Sequence, residues 1–110
     1  ARGTAGLKTP EGFVRVYVGV HADTIKSLLV AGDFNTLPPG VSRLEAALRW
    51  SRAEPAQITA VCERELDASD LGVPASAVAE AIWQAATRAL EREQEAHPVR
   101  AEGSCYFPDQ

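Results

Sequence analysis

Hydrophobic and polar positions alternate in the stretch that follows Gly12. The apolar positions are Val14, Val16, Val18 and Val20, and the positions between them are Arg15, Tyr17 and Gly19. Side chains on a β-strand point to opposite faces in turn, so a period of two places all four valines on one face. The pattern predicts a strand whose valine face covers a core.

A second strand is predicted directly after the first. The connection His21-Ala22-Asp23 is short and polar, and Thr24 to Ala31 is rich in β-branched and aliphatic residues. Two such runs joined by a short polar link favour an antiparallel hairpin. Gly32 and Asp33 are turn-forming residues that direct the chain out of the sheet, after which Phe34 is expected to fold back onto the core.

The residues after Pro38 predict a first helix. It begins at Val41 or Ser42 and ends near Trp50, since apolar residues recur at helical intervals between these points. Ser42 and Glu45 have the spacing of a capping box.

Two further helices are predicted beyond Glu54-Pro55. The buried positions of the second are Ile58, Val61, Cys62 and Leu66, and Leu71-Gly72-Val73-Pro74 interrupts the pattern. The third is the longest, from Pro74 to about Glu95, and Pro98 is expected to end any helix before it. At its charged end, Arg88 with Glu91 and Arg92 with Glu95 have the (i, i+3) spacing of ion pairs on a solvated helix face.

This order of elements predicts a single α+β domain. A small antiparallel sheet of two or three strands is covered on one face by about three helices, with an extended C-terminal tail from about residue 98. Two strands alone are marginally stable, so a third is expected. Its alternatives are Ala1 to Leu7, the region after Phe34, and the Ser104 to Phe107 tail.

Composition limits the classes of function. The 110 residues carry a net charge of -4 with a pI near 5.1, and no basic run occurs, which argues against a nucleic-acid partner. No apolar stretch approaches the ~18 residues needed to cross a bilayer. We therefore expect a cytoplasmic protein with neither nucleic acid nor membrane as a partner.

Residues that carry chemistry are sparse. His21 and His97 are expected in exposed positions, and metal-binding and nucleotide-binding signatures are absent from the sequence. Cys62 is expected to be a buried helix residue, because a free cysteine packs like a small hydrophobe. Cys105 has no adjacent residue that would lower the pKa of its thiol. No catalytic residue and no metal site are predicted.

The chain resembles the C-terminal accessory domain of lipoate-protein ligases, in which a Gly-Asp-Phe turn closes a strand and precedes a helix. The resemblance covers roughly Leu7 to Leu90. The matching segments are Thr9–Gly12, the valine strand, Ile25–Val30, Gly32-Asp33-Phe34 and Leu44–Leu48.

The resemblance implies an accessory domain or subunit without catalytic residues. In that family a separate catalytic domain binds lipoate and ATP, adenylates lipoate and transfers it to a lysine, while the accessory domain packs against it and shifts position during the reaction. The implied partner is that catalytic domain or subunit, and indirectly the lipoyl-acceptor proteins. The candidate partner-contact residues are Gly32, Asp33, Phe34, Asn35, Leu37, Tyr106 and Phe107.

Two other functions stay open from the residues alone. One is a sulfur-transfer or iron–sulfur scaffold that uses Cys62 or Cys105, although two separated cysteines fit such chemistry badly. The other is a stand-alone dimerisation module.

Overall fold

The computed structural model describes residues 1–10, 12–32 and 38–102, with side chains as far as residue 94. Three strands come first along the chain: β1 (Arg2–Thr9), β2 (Gly12–His21) and β3 (Thr24–Gly32). Four helices follow: α1 (Pro39–Leu48), α2 (Pro55–Glu65), α3 (Ala68–Leu71) and α4 (Ala75–Glu102). The molecule is a small α+β domain, as predicted.

The strands form one antiparallel sheet in the order β1-β2-β3. The predicted hairpin is confirmed, with Ala22 and Asp23 as its turn between the paired residues His21 and Thr24. Ala22 adopts a φ of 56°, a left-handed conformation typical of tight hairpin turns. The third strand comes from the N-terminal segment, which was one of the three predicted alternatives.

One face of the sheet is buried under the helices. The four alternating valines of β2 are at most 3% exposed, and α4 lies across β1 and β2 while α1 lies against β3. The core continues into the helices through Leu44, Leu48, Ile58, Val61 and Ile82, all of which are fully buried.

The contact between β1 and α4 is unusually close. A Cβ atom on Gly3 would lie 2.7 Å from the backbone nitrogen of Ala89 and closer still to the carbonyl oxygen of Ala85. Only a glycine leaves room for the helix backbone at this distance. Ala5 on the strand and Ala81 on the helix are also buried, so small residues line this seam on both sides.

The helices differ from the predictions at three points. α1 begins at Pro39 without a side-chain cap, and Ser42 and Glu45 form no capping box, because Glu45 bonds to the sheet instead. A short helix, α3, precedes the predicted break at Gly72 and is capped by Asp67. α4 continues through Pro98 to Glu102, so the extended tail predicted from about residue 98 does not begin there. Proline removes one helical hydrogen bond, but its fixed φ is compatible with a helix.

Candidate docking surface

The face of the sheet opposite the helices carries no covering element in the described part of the chain. Strand alternation and the pairing register place one residue set on this side. We call it the open face: Arg2, Thr4, Gly6 and Lys8 on β1, Phe13, Arg15, Tyr17 and Gly19 on β2, and Ser27, Leu29 and Ala31 on β3.

Large apolar side chains on the open face are exposed. Phe13, Tyr17 and Leu29 are 48%, 39% and 55% exposed, respectively. Tyr17 and Leu29 are direct cross-strand partners, so their side chains stand next to each other. Exposed large apolar residues grouped in this way mark interaction surfaces more often than scattered single ones do.

The end of the Phe13 ring lies close to the neighbouring strand at Gly6. A Cβ on Gly6 would meet the end of the Phe13 ring, so the missing side chain at Gly6 provides the place where the ring rests. The guanidinium carbon of Arg15 lies 5.6 Å from the centroid of the same ring. A cation therefore lies over one face of the ring, an arrangement with cation–π character.

A shallow depression lies beside this apolar group. Its volume is about 410 Å³, and it is lined by Arg2, Tyr17, Val18, Gly19, Ser27 and Leu29. Gly19 forms its floor, since a Cβ there would lie 2.6 Å from the hydroxyl oxygen of Ser27. The depression therefore combines an apolar wall with a hydroxyl group and a guanidinium group.

The charges on the open face all have one sign. Arg2, Lys8 and Arg15 are exposed basic residues, and none of the acidic residues that the structure describes occupies a position on this face. Because the whole chain has a net charge of -4, the basic character of this face is local.

A further exposed aromatic residue lies where α1 ends, at the outer edge of β3. Trp50 is 66% exposed, and its amide donates to the carbonyl oxygen of Ile25 over 2.7 Å. Lys26 occupies the point where the β2–β3 register shifts, and its ammonium group lies 4.3 Å from the centroid of the Trp50 ring. Trp50 has a φ of 71°, a conformation that costs a non-glycine residue roughly 1–2 kcal/mol.

Two arginines of α4 bind the outer edge of β1. Arg88 donates to the carbonyl oxygen of Thr4, and Arg92 donates to that of Arg2 over 3.0 Å. Four residues along a helix rise ~6.0 Å and two residues along a strand ~6.6 Å, so the two spacings match. Arg88 thus contacts the strand and forms no ion pair with Glu91, contrary to the prediction. The Glu95 side chain lies outside the described residues, so its pairing with Arg92 stays a prediction.

The outer edge of β3 is covered in a similar way. The Glu45 carboxylate accepts a hydrogen bond from the Val30 amide over 2.9 Å. Near the start of the strand, the Ile25 amide donates to the carbonyl oxygen of Ser51 over 2.8 Å. The strand polar groups that face outward at these points are therefore paired.

Of the contact residues predicted from the sequence, Gly32 is the one that the structure describes. It is exposed, ends β3 and pairs with Val14. Asp33, Phe34, Asn35, Leu37, Tyr106 and Phe107 lie outside the described residues, and so does Cys105. The open face itself was not predicted as a site, although Phe13 and Tyr17 mark it within the alternation of β2.

Cys62 is fully buried on α2, as predicted, and burial raises the pKa of its thiol to about 12. Such a thiol is almost entirely protonated at neutral pH and is a poor nucleophile, which disfavours Cys62 as a sulfur carrier. His21 is exposed on the hairpin with its Nδ1 3.8 Å from the Glu93 carboxylate. The described residues contain no cluster of histidine, cysteine and carboxylate groups suited to a metal ion.

Comparison with protein-family models, with curated proteins and with solved structures gave no match. Among the described residues, no helix combines the length and apolarity that crossing a membrane requires.

Proposed function

We propose that this chain is an accessory domain of the lipoate-protein ligase type, which docks on a separate catalytic domain and supports lipoate adenylation and lipoyl transfer there. The observation that carries the proposal is the open face, where Phe13, Tyr17 and Leu29 are exposed on a sheet whose other face is packed against the helices. Lipoate and ATP are held by the catalytic partner and not by this chain.

The arrangement of elements supports the choice of family. The resemblance predicts a valine strand, a second strand and then a helix that contains Leu44–Leu48, with Gly-Asp-Phe between strand and helix. The valine strand is β2, the second strand is β3, and α1 contains the helical segment. Gly32 lies at the end of β3, where a chain reversal is needed to bring α1 back over the sheet.

Docking affects the reaction by favouring one state of the catalytic partner. A domain without reacting groups changes a rate only if it binds two states of its partner with different affinity. A tenfold shift toward an ordered, water-excluding state requires a difference of about 1.4 kcal/mol in binding free energy. Burying a single exposed side chain of leucine size contributes about 1.5–3 kcal/mol, so the open face is large enough for this purpose.

The test is a titration of this chain into the catalytic protein of the lipoate-protein ligase from the same genome. Binding is measured by calorimetry, and activity by lipoate-dependent release of pyrophosphate. We expect saturable binding and a change in the rate of pyrophosphate release. Absence of both binding and any rate change would contradict the proposal.

A matched pair of variants assigns the effect to the open face. Leu29→Ser removes an exposed apolar side chain from this face, whereas Arg64→Ser changes an exposed residue on α2. Leu29→Ser is expected to weaken binding roughly tenfold, because a truncated interface anchor typically costs more than 1 kcal/mol. Arg64→Ser should leave binding unchanged, and circular dichroism checks that both variants stay folded.

A further inference from the structure

We infer that the open face is built for an acidic partner surface, so that the catalytic partner presents carboxylates around an apolar patch. This inference rests on the proposed function, since it specifies the chemistry of the partner that the accessory domain binds. Charge complementarity on the open face carries it.

The cations of this face are available to a partner. Arg2, Lys8 and Arg15 are exposed, and in the described part of the chain no carboxylate lies within 4.0 Å of their charged atoms. Other arginines of the domain do form such pairs: Arg43 with Glu65 and Arg52 with Asp23. The basic residues of the open face are therefore available to pair with an incoming surface.

The position of these cations suits an interface. They alternate with the apolar side chains: Lys8 is the cross-strand partner of Phe13, and Arg15 lies between Phe13 and Tyr17 on β2. Typical interfaces have an apolar centre and a polar rim, and complementary charge at the rim mainly raises the association rate and excludes wrong partners. The partner surface that fits has apolar residues with carboxylates next to them.

A second copy of this chain fits the open face poorly. Two open faces placed against each other would bring the three cations of one copy toward those of the other, and like charges in contact oppose association. The charge pattern therefore favours a different, acidic protein over a symmetric dimer formed through this face.

A single-stranded nucleic acid also fits less well. Such ligands stack their bases on free aromatic faces. The Arg15 guanidinium carbon lies over the Phe13 ring, 5.6 Å from its centroid, so a cation already occupies one face of this ring. Tyr17 is the other aromatic residue among the open-face positions. An anionic membrane surface is the remaining partner with similar charge, and the experiment includes both of these ligands.

The experiment compares two charge reversals of equal size. Arg15→Glu lies at the centre of the open face, and Arg64→Glu lies on α2, away from the sheet. Affinity for the ligase catalytic protein is measured for the wild-type chain and both variants by interferometry, at about 50 mM and about 300 mM NaCl, a range over which the Debye length falls well below 10 Å.

We expect Arg15→Glu to raise the Kd roughly tenfold, mainly through a lower association rate, and Arg64→Glu to change it less than about twofold. Salt should weaken wild-type binding several-fold and should weaken Arg15→Glu binding less. If the wild-type chain binds but neither salt nor Arg15→Glu weakens the complex, the inference is wrong while the proposed function stands. If the wild-type chain does not bind at all, the proposed function fails first.

Two additional ligands test the alternatives. The chain is titrated with vesicles rich in phosphatidylserine and with a polyuridine oligonucleotide of twenty nucleotides, under the same low-salt conditions. No binding to either, or binding at least a hundredfold weaker than to the catalytic protein, supports the inference. If the wild-type chain binds the vesicles or the oligonucleotide as tightly as the catalytic protein or more tightly, and Arg15→Glu abolishes that binding, the inference is wrong.

Discussion

The substitution Gly3→Ala tests the close seam between β1 and α4. A methyl group at this position would meet the carbonyl oxygen of Ala85 and lie 2.7 Å from the backbone nitrogen of Ala89. Both are backbone atoms of a packed helix, so a rotamer change cannot relieve the contact. The helix must move by roughly 1.5 Å to bring the closer of these atoms to an ordinary separation of about 3.5 Å.

The expected loss of unfolding free energy in Gly3→Ala is the difference between a steric cost and an entropic gain. Inserting a methyl group into a well-packed core typically costs 1–3 kcal/mol, and contact with backbone places this site near about 3 kcal/mol. Alanine also lowers the conformational entropy of the unfolded chain, which offsets about 0.4–1 kcal/mol of this loss. The expected net loss is about 2 kcal/mol. The hydrogen bonds from Arg88 and Arg92 to β1 hold the helix in place and oppose its movement.

Gly6→Ala is the matched control on the same strand. Gly6 lies on the open face, and a methyl group there meets only the end of the exposed Phe13 ring, which is free to rotate away. Its effect should stay within about 0.5 kcal/mol, as for most surface changes. The assay is urea unfolding followed by circular dichroism.

With a slope of about 1.5 kcal/mol/M, a loss of 2 kcal/mol lowers the urea midpoint of Gly3→Ala by about 1.3 M. The midpoint of Gly6→Ala should match that of the wild-type chain within about 0.3 M. An unchanged midpoint for Gly3→Ala, or equal losses in both variants, would show that no tight seam exists at this position.

Other substitutions test separate features. Glu45→Ala should lower the unfolding free energy by about 1 kcal/mol, because the Val30 amide loses its acceptor, whereas Glu45→Gln keeps an acceptor oxygen and should lose less; equal losses would contradict this role. Ala22→Gly should raise stability by about 0.5–1 kcal/mol in thermal unfolding, since glycine adopts a φ of 56° without strain, and a lower melting temperature would refute this. In a Cys105→Ser background, Cys62 should react with a thiol reagent only as fast as the protein unfolds, and rapid reaction of the folded protein would contradict its burial. The folded-state pKa of Cys62, about 12, lies above the unfolded value, so its contribution to stability is complete below about pH 8.5 and is lost as the pH rises toward 12, a loss that Cys62→Ala should not show.

The strongest sequence signals predicted the centre of the fold. The valine alternation of β2 and the aliphatic run of β3 gave the hairpin, and helical periodicity located α1, α2 and most of α4. These elements bury large side chains on one face, so their periodicity is visible in a single sequence.

The signal for β1 was weak for a physical reason. Its core-facing positions include Gly3 and Ala5, which are small because α4 comes so close to the strand. A position that must be small contributes little hydrophobicity, so the alternation that marks β2 is faint in β1. The close contact with α4 therefore explains why the hydrophobic alternation of β1 is weak in the sequence.

Predictions from residue spacing within one helix were wrong where a side chain bonds to a residue far away in sequence. Glu45 has the spacing of a cap but bonds to Val30, and Arg88 has the spacing of an ion pair but bonds to Thr4. Both side chains satisfy backbone groups of strands that lie far away in sequence, and no spacing rule within one helix contains that information. The open face was missed because exposed aromatic residues on a strand are visible as a surface only once the register is known.

The covered strand edges restrict how this domain meets other chains. Side chains from α1 and α4 occupy backbone groups at the outer edges of β3 and β1, where another polypeptide would otherwise add itself to the sheet. Association by β-augmentation is therefore blocked at these points, and so is growth into cross-β assemblies. At these points a partner meets side chains instead of free backbone groups.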